Sequence, residues 1–129
     1  MDSDVLVVDD SAAIRKILTR VLRQTGMAIQ TIHEAGDGQE ALALMAQHRI
    51  DLVLSDINMP KMDGLQLLAS LKASTQWQNI PVVMITTEGG ETKVAEAVKL
   101  GAVGYVRKPF TADQIKEKLV GILEPAVTL

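Results

Sequence analysis

The sequence contains no cysteine, which excludes disulfide bonds, thiolate metal sites and a cysteine nucleophile. Aromatic residues are scarce, with one Trp, one Tyr and one Phe, so the core must be built from aliphatic side chains. No apolar run approaches the roughly 18 residues needed to span a bilayer. No block of basic residues is present that would attract nucleic acid or an anionic membrane. We therefore expect a cytoplasmic protein that binds no nucleic acid and does not insert into membranes.

The chain does contain enough apolar residues for one sizeable core. It has 129 residues, of which 47% are hydrophobic, and a net charge of -3. This length is typical of one domain, and this apolar content argues against disorder. We expect a single folded domain.

Short apolar segments alternate five times with amphipathic segments along the chain. Strands are predicted at residues 5–8, 28–34, 50–55, 82–85 and 103–106. A helix follows each strand; in the fourth helix the predicted inward side chains are Val94, Ala97 and Val98. In the fifth helix they are Ile115, Leu119, Ile122 and Leu123. This (βα)5 pattern predicts an α/β fold in which helices cover both faces of a parallel sheet.

Polar side chains follow four of the five predicted strands. Asp9 and Asp10 follow the first strand and Asp56 follows the third, while Thr86 and Lys108 follow the fourth and the fifth. Ligands of open parallel sheets bind outside the carboxyl ends of the strands. We therefore expect these five side chains to converge at one edge of the sheet.

Three carboxylates at one edge would repel one another. At 4–5 Å and an effective dielectric constant near 20, each pair costs roughly 3–4 kcal/mol. Such a site raises a carboxyl pKa or recruits a cation, and oxygen ligands favour Mg²⁺ or Ca²⁺. A Thr hydroxyl and a Lys ammonium are suited to hold phosphoryl oxygens. The residues alone predict a metal-assisted phosphoryl site in which Asp56 could be the nucleophile.

Four motifs in this order resemble those of a response-regulator receiver domain, and among receivers they are most similar to the single-domain chemotaxis regulators. The motifs are VVDDS at residues 7–11, SDINMPKMDG at 55–64, TTE at 86–88 and YVRKPF at 105–110. The resemblance covers essentially the whole chain. It implies a doubly wound, flavodoxin-like sheet of order 2-1-3-4-5 in a three-layer α/β/α sandwich, and a cis peptide bond between Lys108 and Pro109. It also implies a receiver domain over residues 1–129 with no output domain.

The resemblance assigns the phosphorylation chemistry to particular residues. Asp56 would accept a phosphoryl group from the phosphohistidine of a histidine kinase. Mg²⁺ would be held by the carboxylates of Asp9, Asp10 and Asp56 and by the backbone carbonyl of Asn58. The chain would not be an enzyme in the usual sense, because it would catalyse only its own phosphoryl transfer and autodephosphorylation.

Further residues acquire roles by the same resemblance. Thr86 and Lys108 would bind phosphoryl oxygens, and Thr86 would act with Tyr105 as the switch, with Tyr105 turning inward on activation. Asn58 and Glu88 would tune attack of water on the phosphoryl group and favour a short-lived signal.

The predicted output is protein binding through the fourth helix, the fifth strand and the fifth helix. The implied partners are a CheA-like histidine kinase and a downstream protein, with the flagellar switch as the leading class. Arg107 lies on this face and should influence which partner is accepted. We expect the chain to be a monomer.

Two other functions remain open at this point. The chain could be a phosphorelay intermediate that passes its phosphoryl group to a histidine phosphotransfer protein, or a Mg²⁺-dependent phosphohydrolase of small acyl phosphates. A haloacid-dehalogenase-type phosphatase is disfavoured because no D-x-D follows the first strand. Residues 36–41 match the dinucleotide fingerprint G-x-G-x-x-A, but they follow a weak polar strand, which disfavours a nucleotide site.

Overall fold

The computed structural model describes residues 3–87 and 91–123, in which five strands alternate with five helices. The strands are β1 (Ser3–Val8), β2 (Ile29–Ala35), β3 (Leu52–Asp56), β4 (Val82–Thr86) and β5 (Gly104–Arg107). The helices are α1 (Ala12–Gln24), α2 (Gly38–Gln47), α3 (Gly64–Lys72), α4 (Glu91–Leu100) and α5 (Ala112–Leu119). Within these residues, no helix is both long and apolar enough to cross a lipid bilayer.

The strands form one parallel sheet in the order β2-β1-β3-β4-β5. The central register places Val5 opposite Leu52, and Val53 opposite Val82. Parallel neighbours must be joined by crossover connections, and here every crossover contains a helix. The predicted fold class and strand order are confirmed.

The sheet separates two apolar layers because alternate side chains of each strand point to opposite faces. Val5 and Val7 face the layer covered by α1 and α5, while Leu6 and Val8 face the layer covered by α2, α3 and α4. The helices contribute fully buried leucine and isoleucine side chains to these layers, among them Leu18, Leu22, Ile115, Leu67, Leu68 and Leu71. Both faces of the central strands are therefore buried, and this packing restrains the carboxyl ends of these strands.

Four of the helices begin at a side chain that caps free backbone N–H groups. The N-cap residues are Ser11 for α1, Asp37 for α2, Asp63 for α3 and Thr111 for α5. Each side-chain oxygen accepts a hydrogen bond from the N–H three residues later, which satisfies a donor that the helix leaves unpaired. Each cap marks the point where a loop from the carboxyl edge of the sheet ends and a helix begins. The loops around a site at that edge are therefore short.

Two details of the predicted helices are wrong. Val98 was predicted to face inward, but its side chain is 54% exposed, because Ala97 occupies the face that packs on the sheet. The last helix was predicted to include Ile122 and Leu123, but it ends at Leu119. Leu123 is nevertheless buried, since a turn after α5 folds the chain back onto the same apolar layer.

Gly64→Ala should strongly destabilise the protein. A methyl group on Gly64 would collide with the backbone carbonyl oxygen of Asp56 and lie 2.8 Å from the Cα of Ile57, and neither backbone atom can move cheaply. Overpacking of a well-packed core typically costs about 1–3 kcal/mol, and a clash with backbone atoms places this variant at the upper end of that range. Urea denaturation measures the loss. The control is Gly104→Ala, where a methyl group would have no heavy atom within 4 Å; an equal loss in both variants would contradict the expectation.

Candidate functional site

The carboxyl edge of the sheet brings together the polar residues that the sequence placed there. Asp9 directly follows β1, Asp56 and Thr86 are the last residues of β3 and β4, and Lys108 directly follows β5. Because all strands are parallel, these positions lie at the same end of the sheet. The predicted convergence is confirmed.

Three carboxylates form an acidic cluster at this edge. One carboxylate oxygen from each of Asp9, Asp10 and Asp56 lies within 4.8 Å of the other two. The Asp9 and Asp56 residues are only 1% and 8% exposed, whereas Asp10 is open to solvent. At this spacing and an effective dielectric constant near 20, each ionised pair repels by roughly 3–4 kcal/mol. The cluster therefore needs a compensating positive charge.

The Lys108 ammonium lies between the two buried acids. Its Nζ donates a hydrogen bond to Asp9 Oδ2 at 2.9 Å and lies 3.4 Å from Asp56 Oδ2. Burial lowers the pKa of Lys108, but its bond to Asp9 and the charge of Asp56 together raise that pKa above its usual value. Lys108 is thus held as a fixed cation beside the two acids.

The Asp56 carboxyl has a raised pKa even with this cation beside it. The largest cause is burial, which penalises the charged form, and the charge of Asp9 adds to it; Lys108 and the N–H of Ile57 act in the opposite direction. The positive charge of Lys108 therefore does not offset the cost of burying the charged carboxylate of Asp56.

Backbone contacts fix the orientation of the two buried acids. Asp56 Oδ1 accepts a hydrogen bond from the N–H of Ile57 at 2.8 Å, and Asp9 Oδ1 accepts one from the N–H of Ser11 at 2.9 Å. In addition, Arg15 Nη1 donates to the backbone oxygen of Asp9 at 2.6 Å. The contact of Arg15 with Asp9 was not predicted, because Arg15 is one of several cationic residues on the polar face of α1.

Thr86 is buried at the end of β4, and its hydroxyl donates a hydrogen bond to the carbonyl of Thr87 at 3.2 Å. Its own carbonyl accepts the N–H of Lys108 at 2.6 Å, next to the cis peptide bond between Lys108 and Pro109. Tyr105 is half-buried on β5, where Lys118 Nζ lies 5.6 Å from the centre of its ring. Thr86 thus belongs to the site, while Tyr105 lies on the adjoining surface.

Asn58 is exposed in the loop after β3, and its Oδ1 accepts a hydrogen bond from Lys93 Nζ at 2.8 Å. Lys93 belongs to α4 and was not predicted to approach the site, since no local pattern links residues that far apart in sequence. Glu88, the second residue predicted to influence hydrolysis, lies outside the described residues.

The glycine motif at residues 36–41 has a structural use at this edge. A methyl group on Gly38 would lie 2.6 Å from Met62 Cγ, so Gly38 allows the loop after β3 to pack on α2. Asp37 caps α2 by accepting the N–H of Glu40 at 2.9 Å, and its Oδ2 lies 3.9 Å from Lys61 Nζ. These contacts account for the motif without a nucleotide.

The donor set fits a hard divalent cation. Three carboxylates, two of them buried, offer oxygen ligands within a few ångströms, and the single positive charge of Lys108 balances only one of the three negative charges. Mg²⁺ is bound in proteins by one or two carboxylates together with water and phosphate oxygens. The cluster can therefore hold such a cation, and it leaves Asp10 on the solvent side of the site.

Comparison with known proteins places this geometry in context. The family profile of the response regulator receiver domain matches residues 5–120. Chemotaxis protein CheY-3 of Vibrio cholerae serotype O1 is 40% identical over 120 residues, which cover 93% of this chain and 91% of that protein. Chemotaxis protein CheY of Pseudomonas aeruginosa is 38% identical and is matched over 93% of this chain and 95% of its own length. The structure of CheY4 of Vibrio cholerae superposes with a TM-score of 0.83 at 33% identity, covering 95% of this chain and all of that one.

Asp56→Asn should alter the pH dependence of stability. An acid with a raised pKa in the folded state binds more protons there than in the unfolded state, so stability falls as pH rises between the two pKa values. Because Asn does not titrate, the variant lacks this decrease in stability with rising pH. The stability advantage of the variant over the wild type should therefore grow from acid to neutral pH. Urea denaturation in Mg²⁺-free buffer measures it, and an advantage that shrinks with rising pH would contradict it.

Proposed function

This chain belongs to the response regulator receiver family and is similar to CheY, and on that premise we propose that it signals through phosphorylation of Asp56. The observation that carries the proposal is the acidic cluster with Lys108 between its two buried acids. A nucleophilic carboxylate, a fixed cation and an open side are what transfer of a phosphoryl group to an aspartate requires.

Mg²⁺ is the proposed cofactor. The carboxylates of Asp9, Asp10 and Asp56 would hold it, with the backbone carbonyl of Asn58 as a further ligand. When bound, Mg²⁺ would neutralise charge on the phosphoryl oxygens and so lower the barrier to transfer. The three clustered carboxylates, which have one ammonium between the two buried ones, support this assignment.

The phosphoryl donor is proposed to be the phosphohistidine of a histidine kinase. A carboxylate oxygen of Asp56 attacks phosphorus, the bond from phosphorus to the histidine nitrogen breaks, and the imidazole leaves with the electron pair. Lys108 is already within 3.4 Å of the attacking carboxylate and would bind a phosphoryl oxygen. Asp56 Oδ1 accepts the hydrogen bond from the Ile57 N–H, which leaves the other carboxylate oxygen, Oδ2, facing the Lys108 ammonium.

The proposed switch begins at Thr86. Its hydroxyl bonds only weakly to the Thr87 carbonyl, at 3.2 Å, so a phosphoryl oxygen could attract it instead. Shifting a two-state surface from mostly off to mostly on requires about 5.5 kcal/mol of differential interaction. A few charge-assisted hydrogen bonds to the new phosphoryl oxygens are of that order. Movement of Thr86 would free space for Tyr105, which lies one strand away, to turn inward.

The proposed output face comprises α4, β5 and α5. Val98 of α4 and Val103, which directly precedes β5, are each 54% exposed, and Tyr105, Arg107 and Lys118 line a cavity of about 330 Å³. A protein partner would cover these exposed apolar side chains. By analogy with its relatives, we assign the chain to chemotaxis in the cytoplasm, with a CheA-like kinase upstream and a flagellar switch protein or a phosphotransfer protein as its target. Its only reactions would be its own phosphorylation and dephosphorylation.

Asp56→Asn should abolish phosphorylation while the fold is kept. In the presence of acetyl phosphate and Mg²⁺, intact-protein mass spectrometry should detect one phosphoryl group on the wild type and none on the variant. Asp113→Asn is the matched control, because this exposed acid lies in the first turn of α5 and away from the cluster; it should be modified normally. Phosphorylation of Asp56→Asn to the wild-type extent would disprove the assigned acceptor. Steady release of phosphate much faster than the phosphoryl group is lost from Asp56 would instead favour a phosphohydrolase, because autodephosphorylation cannot exceed that rate.

Partner binding should depend on the state of Asp56. Beryllofluoride forms a stable mimic of the phosphorylated aspartate, so the treated protein should retain more of its target in a pull-down than the untreated protein. The expected gain is about tenfold or more for a surface that moves between two states. Beryllofluoride-treated Asp56→Asn is the control and should behave like untreated protein. Equal recovery with both forms of the wild type would falsify the switch.

A further inference from the structure

Lys93 and Asn58 join the loop after β3 to the first turn of α4. Lys93 Nζ donates a hydrogen bond to Asn58 Oδ1 at 2.8 Å across 35 residues of sequence. An ammonium has three donors and no acceptor, so it must face the oxygen of the Asn58 amide and not its nitrogen. The contact therefore fixes which end of the amide points towards α4.

This orientation matters because Asn58 lies two residues after Asp56. An exposed Asn side chain in a loop ordinarily samples several rotamers and both orientations of its amide. With Oδ1 engaged by Lys93, the Asn58 NH₂ group is the end left to donate elsewhere. A residue in this position influences the Asp56 site only to the extent that its side chain is held in place.

We propose that Lys93 is a positioning residue that holds the Asn58 side chain and thereby sets how long a phosphoryl group stays on Asp56. The inference rests on the proposed phosphorylation of Asp56. In hydrolysis, a water oxygen forms a bond to phosphorus while the bond from phosphorus to the Asp56 oxygen breaks. The water proton passes to solvent, and inorganic phosphate and the free carboxylate result.

The expected effect is modest because the contact is exposed. Exposed charged contacts are screened by solvent, and their loss changes an equilibrium or a rate by about two- to fivefold. Asn58→Ala removes the positioned amide completely and should lengthen the phosphorylated state. Lys93→Met should lengthen it in the same direction by about two- to fivefold, and by less than Asn58→Ala does.

A double-mutant cycle tests whether Lys93 acts through Asn58. Each protein is loaded with acetyl phosphate and Mg²⁺, freed of donor by desalting, and followed by intact-protein mass spectrometry. Lys93→Met should have no further effect in the Asn58→Ala background. With Asn58 present, Lys93→Arg should keep nearly the wild-type lifetime, because it retains a cationic donor. Lys99→Met is the matched control, because this exposed lysine lies on α4 about 9 Å further along the helix axis.

The contact itself is tested without phosphorylation. In the unmodified protein, the ¹H–¹⁵N resonances of the Asn58 side-chain NH₂ group should shift in Lys93→Met and stay in place in Lys99→Met. The absence of a shift in Lys93→Met would overturn the inference, because no contact would then exist to position the amide.

The kinetic outcomes separate this inference from the proposed function. If the wild type accepts no phosphoryl group, the proposed function fails and the role of Lys93 fails with it. If the wild type is phosphorylated, an unchanged lifetime in Lys93→Met overturns the role of Lys93 alone. Two further results would also overturn the role of Lys93. A full effect of Lys93→Met in the Asn58→Ala background would show that Lys93 does not act through Asn58. An equal effect of Lys99→Met would indicate a general charge effect.

Discussion

The contact of the Lys108 ammonium with two buried carboxylates is the interaction on which the rest of this structure depends. Lys108 Nζ is 2.9 Å from Asp9 and 3.4 Å from Asp56, and without it two nearly buried negative charges would face each other. Each acid ends or follows a strand in the middle of the sheet, while the lysine follows the edge strand β5. The four neighbouring strands β1, β3, β4 and β5 must therefore be in place before Lys108 can contact both acids, so the site depends on the fold.

The positive charge of Lys108 does not balance the negative charges of the three acids. This charge difference suits a site that is proposed to bind a cation. Burial keeps the pKa of Asp56 raised even beside Lys108, so a further cation that binds the folded site would stabilise it. The proposed phosphoryl group would add negative charge and so increase the need for such a cation. The exposed side of the cluster, at Asp10, is where both could enter.

Much of the fold was predictable from the sequence because both faces of the sheet are buried. Residues 5–8 of β1 and 82–85 of β4 are continuous apolar runs that predict buried strands. Because all strands are parallel, the residues at the carboxyl ends of four of them, Asp9, Asp56, Thr86 and Lys108, must lie at one edge of the sheet. Helix faces were less predictable: Ala97 and Val98 are adjacent, and only the packing of α4 decides which one is buried. Lys93 could not be found at all, because its partner lies on another element and the hydrogen bond leaves no periodic pattern.

The distance from the site to the output surface is short because the strand order places β5 next to β4. The N–H of Lys108 donates to the carbonyl of Thr86 at 2.6 Å, so the two residues proposed to bind phosphoryl oxygens are joined through their backbones. Tyr105 lies on β5, opposite Met84 of β4, three residues before that lysine. Asp56 ends the fully buried strand β3, so the proposed movement is expected on the β4 and β5 side. A change at the proposed phosphorylation site would then have to cross only one strand to reach the proposed output face.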